Sequence, residues 1–158
     1  MENVEPVLEY LVEEGKELGI DFRFDAIHQV PNTVRAHQLM QLAETVGADR
    51  TAIADDLFTA FFEKGKDIGD RGVLIRIAKK HGLSAGEVIR AIDSDQIRQV
   101  VVVREAQVRN SGLTATPGFL LNRRLLVVGA QDTDSIVNAF DRAMFGEGTD
   151  TIESPALH

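Results

Sequence analysis

From residue 33 to about residue 111, apolar residues return every three or four positions, and a chain patterned this way has to bury its middle as packed helices. Five consecutive helices are expected. Their apolar faces are Ala36/Leu39/Met40/Ala43, Ile53/Leu57/Phe58/Phe61/Phe62, Val73/Leu74/Ile77/Ala78, Val88/Ile89/Ile92 and Ile97/Val100/Val101/Val108. Asp70 is placed to cap one helix and Gly82 to end it, while Ser84 with Glu87 three residues on fits a capping box for the next. Val100 to Val103 are four β-branched residues in a row, which favours a strand. The polar flanks Asp95-Gln96 and Arg104-Glu105 and the length of the segment tip the reading to helix.

Shorter signals flank this block. Val4, Val7, Leu8, Leu11 and Leu18 recur at helical spacing before Gly19, which predicts a helix over 4–18. The alternation in Phe22-Arg23-Phe24-Asp25-Ala26 predicts a strand, broken by Pro31. After Gly112, Phe119-Leu120-Leu121, the turn Asn122-Arg123-Arg124 and Leu125-Leu126-Val127-Val128 predict a β-hairpin. Asp132 or Thr133 then caps a last helix, expected to bury Ile136, Val137, Phe140 and Met144. From 146 to 158 the residues are polar and rich in Gly, Thr, Ser and Pro, and a flexible tail is expected.

Charge and residue usage exclude several functions. With 17 basic and 25 acidic residues the net charge is -8, which opposes attraction to phosphate backbones and anionic lipid, so no nucleic-acid or membrane partner is expected. Glu2, Glu5, Glu9, Glu13 and Glu14 stand where a signal peptide would be basic and then apolar, and a cytoplasmic location is expected. The 158 residues contain no cysteine, which removes disulfides, thiolate ligands and thiol nucleophiles together. His28, His37, His81 and His158 show no spacing that converges on a metal, and no serine lies in a Gly-x-Ser-x-Gly elbow. The expectation is no catalytic residue, no metal and no cofactor.

The element order is helix, strand, helical block, hairpin, helix, and several stretches carry a family resemblance. They are Val30-Pro31-Asn32-Thr33-Val34-Arg35-Ala36-His37, Leu57-Phe58-Thr59-Ala60-Phe61-Phe62, Asp67-Ile68-Gly69-Asp70, Leu74 with Ala78, Gly82-Leu83, Thr116-Pro117 and Gly129-Ala130-Gln131. In this order they resemble the DsbA-like thioredoxin-fold oxidoreductases, and within them the FrnE-like branch, over residues 18 to about 145. Relatives so implied include 2-hydroxychromene-2-carboxylate isomerases and kappa-class glutathione transferases.

The resemblance implies an α/β protein with an incomplete thioredoxin fold. Residues 1–31 and 112–145 would form the partial thioredoxin domain, and 32–111 an inserted helical domain. The family's strand and helix bearing a Cys-x-x-Cys pair have no counterpart here, so thiol–disulfide exchange by this chain is not expected. Without that strand, residues 22–27 would either pair with the hairpin or leave an edge that recruits another chain, and a homodimer is one expected outcome.

Binding would survive in part. If Pro117 is cis, as in the family, Thr116 would offer its backbone N–H and C=O to an extended protein or peptide thiol substrate or to glutathione. A plain tight turn at Thr116-Pro117-Gly118 is the alternative. Asn32 lies where glutathione-binding relatives place an asparagine, and it also suits a helix N-cap. Gln131 would touch a ligand, although Ala130-Gln131 departs from the serine and aspartate of the glutathione-using relatives. His37 is expected as a buried imidazole bonded to backbone, Gly129 as structural, and the Phe58/Phe61/Phe62 cluster as core.

Overall fold

A computed structural model describes residues 5–113, 115–145 and 151–153. Contacts divide the chain into two compact units, one ending at Val102 and one beginning at Val103. Residues 5–31 thus fall in the same unit as the helical block, whereas the resemblance implied a grouping of 1–31 with 112–145.

The first unit holds α1 (Glu5–Glu17), α2 (Val34–Val46), α3 (Arg50–Phe58), α4 (Arg71–Lys80), α5 (Ala85–Ile92) and the start of α6 (Asp95–Asn110). The periodic apolar residues converge here: Leu39, Ala43, Ile53, Leu74, Ala78 and Val88 are fully enclosed. Caps fix the helix starts. Asp49 accepts from the Ala52 N–H and Asp70 from the Val73 N–H. Ser84 and Glu87 form the reciprocal capping box, in which the Ser84 hydroxyl and then its N–H hold the Glu87 carboxyl below its usual value.

The predicted strand at Phe22–Ala26 does not form; Phe24–Ala26 is one turn of 3-10 helix. The alternation does put Phe22 and Phe24 on one side, stacked at 5.2 Å, but both rings meet Phe62 edge-on and the Arg23 N–H bonds the Phe62 carbonyl at 2.8 Å. A period of two marks a strand only where a neighbouring strand supplies a ladder. Here an aromatic cluster takes its place. Phe62 is presented by a π turn over Thr59–Glu63 that continues α3. Phe58, expected in the core, is 62% exposed.

Asp56 joins α3 to the end of α4. It accepts from Lys80 Nζ at 2.6 Å and bonds His81 Nε2 at 2.8 Å. The Lys80 bond, assisted by His81 and opposed by partial burial, holds the Asp56 carboxyl below its ordinary value. A depressed folded value means that the stabilisation is present above the unfolded value and is lost as pH falls through the folded one. Asp56→Asn is therefore expected to destabilise at neutral pH by about 1–2 kcal/mol. The gap to the parent should close as the pH drops through and below the carboxylate range, measured by urea denaturation at several pH values.

α6 is continuous through Val100–Val103, so helix wins there over β propensity. The Ser94 hydroxyl caps it at the Ile97 N–H, Arg109 pairs with Glu105 one turn back, and of the four valines only Val101 is buried.

The second unit centres on β1 (Gly118–Leu121) and β2 (Leu125–Val128), the predicted antiparallel hairpin. Its turn places Asn122 and Arg123 at positive φ, and the Asn122 amide donates to the Ala143 carbonyl near the end of α7 (Thr133–Phe145). α7 packs with Ala139 and Ala143 buried and Ile136 beside them, against Leu125 and Val127. Val137, Phe140 and Met144, expected to be buried, are exposed. Small side chains let the helix approach the sheet closely, and the larger residues are left on its outer side.

β3 (Thr151–Glu153) then pairs in parallel with β2, giving the order β1-β2-β3. The expectation of a flexible tail is corrected for these three residues; residues 146–150 and 154–158 lie outside those described. Among the described residues no helix is long and apolar enough to cross a membrane.

Candidate functional site

The loop entering β1 belongs to the second unit. The Thr116–Pro117 peptide is cis, and the Pro117 carbonyl accepts from the Gly129 N–H at 2.7 Å, which ties the loop to the end of β2. Gly129 is buried and sits at φ +81°, so its part is structural, as expected. A Cβ at Gly118 would lie 2.1 Å from Leu113 Cδ1, so a side chain there requires Leu113 to shift.

Residues 115–120 are exposed, and neither the N–H nor the C=O of Thr116 has a hydrogen bond among the described residues. Among the described residues β1 lies at the edge of the sheet, bonded only to β2, and Phe119 and Leu120 on it are 42% and 62% exposed. An open edge with apolar side chains and unspent backbone groups is what an added strand requires.

Gln131 follows the end of β2. Its amide nitrogen donates to the Val128 carbonyl at 3.1 Å, which closes the turn after β2.

Asn32 lies in the first unit. Its side-chain oxygen accepts from the Val34 N–H at 3.0 Å, as a cap would, although Thr33 is the residue at the helix boundary. The side-chain nitrogen of Asn32 makes no hydrogen bond among the described residues. Beside it is a cleft of about 610 Å³ between the start of α2, the loop around Gly69 and the start of α6. Gly69 passes so close to Asn32 that a Cβ there would lie 3.0 Å from the Asn32 carbonyl oxygen.

Arg35, Gln38 and Arg98, which the sequence patterns did not single out, also line this cleft. The one signal for Gln38 was its place beside Leu39 on the buried side of α2, where a polar residue is unexpected. His37, expected to be buried, is exposed and makes no side-chain hydrogen bond among the described residues.

No sulfur nucleophile exists in the 158 residues. Among the described residues no three His, Asp or Glu side chains gather as metal ligands would.

The fold and this loop define a thioredoxin-like protein. The family model of the DSBA-like thioredoxin domain matches residues 2–141, and the chain belongs to that family. A crystal structure of a probable DsbA oxidoreductase from Streptomyces coelicolor is similar, with a TM-score of 0.76 and 23% identity, over 94% of this chain and 61% of that one. A second, from Nitrosomonas europaea and provisionally assigned as a protein disulfide isomerase, has a TM-score of 0.73 and 14% identity, over 91% of this chain and 74% of that one. The chain therefore spans less than two-thirds of the length of the first. At these identities the likeness is one of fold: α/β, with an incomplete thioredoxin fold. No curated protein matches.

Proposed function

We propose that this chain is the substrate-binding part of a FrnE-like thiol–disulfide oxidoreductase and is inactive in exchange by itself. Its ligand is an extended protein or peptide thiol substrate that adds as a strand to the open edge of β1. One observation carries the reading: the N–H and C=O of Thr116, unpaired among the described residues, lead into an edge strand with exposed Phe119 and Leu120.

Exchange proceeds by attack of a thiolate on a disulfide sulfur. These 158 residues hold no thiol, so both reacting thiols have to come from elsewhere. A cytoplasmic setting is part of the same reading.

The test is a titration of the isotopically labelled chain with an extended apolar peptide, followed by NMR. Amide shifts are expected over Ala115–Leu121, with binding weakened roughly tenfold in Leu120→Lys, which puts a charge at the edge. Shifts elsewhere alone, or none, would sink the reading. A concentration-dependent shift of the same amides without peptide would mean that a second copy takes the edge and forms a homodimer. Heat released on adding glutathione would favour an isomerase or transferase instead. The departure at Ala130-Gln131 from the serine and aspartate of the glutathione-using relatives speaks against that.

A further inference from the structure

Within the unit that ends at Val102, the cleft beside Asn32 contains polar groups that the fold leaves unspent. Gln38 lines it although only 2% exposed. Its Nε2 donates to the Ala91 carbonyl at 3.1 Å and the Ser94 carbonyl at 3.0 Å, while its side-chain oxygen takes no hydrogen bond among the described residues. No fully enclosed side-chain oxygen or nitrogen goes unpartnered among these residues, so this oxygen is one that solvent reaches. An amide oxygen so nearly buried gains from a donor, and a ligand N–H supplies one.

The walls carry the complementary charge. Arg35 spends one guanidinium N–H on the Gly69 carbonyl at 3.2 Å, and the Arg98 side chain has no partner among the described residues. Three carboxylates line the cleft as well. Asp67 is occupied by the Gly69 N–H and the Gln29 amide, Asp93 is held by Arg71, and Asp95 is unpaired among the described residues. A simple anion such as phosphate brings no N–H donor for the Gln38 oxygen or for Asp95 to set against the negative charges here. A ligand carrying a carboxylate and N–H donors within a few bonds of each other meets a partner for each.

We propose that this cleft binds the C-terminal residue of a peptide, with its carboxylate on Arg35 and Arg98 and a main-chain N–H on the Gln38 oxygen. Guanidinium groups bond carboxylates through paired N–H donors, and capture of a terminal carboxylate is an established mode of peptide recognition. About 610 Å³ is ample for a terminal residue or two. The proposal stands apart from the β1 edge, since every group it uses lies in the other unit.

The experiment is a calorimetric and NMR titration of the full chain with acetyl-trialanine as the free acid, with its C-terminal amide, and with inorganic phosphate. The free acid is expected to shift the amide signals of Arg35, Gly69, Asp95 and Arg98. The peptide amide should bind at least tenfold more weakly, and so should the free acid to Arg98→Gln, from the loss of charge-assisted bonds. Arg98 is exposed and unpaired among the described residues, so that variant keeps its fold; Arg35→Gln provides a second reading of the same effect. Equal binding of acid and amide, shifts by phosphate at the same concentrations as the peptide, or no shift at millimolar free acid would each overturn the proposal.

Discussion

Replacing Gly65 by alanine is expected to cost the fold roughly 2–4 kcal/mol, one of the two largest single-residue effects expected in this chain. Gly65 closes the π turn at φ +56°, where its N–H bonds the Phe61 carbonyl at 3.1 Å. A left-handed backbone already costs an L residue about 1–2 kcal/mol. The added Cβ would also lie 2.3 Å from the Ala26 carbonyl oxygen and 2.7 Å from the Ala26 Cβ. Neither atom belongs to a flexible side chain, so the backbone of the 3-10 turn has to move. Gly47 is the internal control, because it sits at φ +74° and a Cβ there would meet nothing within 4 Å. Gly47→Ala should show the conformational cost alone. Urea denaturation of both variants separates the terms: a Gly65→Ala loss no greater than that of Gly47→Ala would mean the two turns do not approach so tightly.

The second large effect is expected from Leu74→Ala, at about 2–5 kcal/mol. Leu74 is 0% exposed and packs in the cluster that includes Leu39, Ile53 and Val88, where close-packed neighbours cannot collapse fully into the space left behind. Phe58→Ala removes a larger side chain from a residue that is 62% exposed. Phe58 meets Phe62 at 6.1 Å in a tilted pair, so its loss should cost no more than about 1.5 kcal/mol. Thermal and denaturant unfolding of the pair would show whether burial or side-chain size governs stability. A Phe58→Ala loss matching that of Leu74→Ala would contradict the exposure of Phe58.

The difference between Leu74 and Phe58 also marks how far the sequence could be read. Both residues lie on faces with helical spacing, and spacing says which residues share a face but not how much of that face a neighbour covers. On α7 the expected face was Ile136, Val137, Phe140 and Met144, all large apolar residues. Ala139 and Ala143 are buried instead, with Ile136 partly so, because the alanines let the helix lie close on β2. In the same way Phe22 and Phe24 show a strand's alternation and end in an aromatic cluster with Phe62.

What the sequence by itself determined is what depends on near neighbours in the chain. The helical block, the caps at Asp70 and Ser84–Glu87, the hairpin with its Asn122-Arg123 turn, the family resemblance and the absence of any thiol all rest on residue identity and short spacing. Only the tertiary structure decided which apolar stripe each helix buries, that Thr151–Glu153 joins the sheet beside β2, and that Arg35, Gln38 and Arg98 share one cleft. Those outcomes come from contacts between residues far apart in sequence. There, burial and hydrogen bonding are settled by whichever partner the packed chain brings near, and no local period encodes that choice.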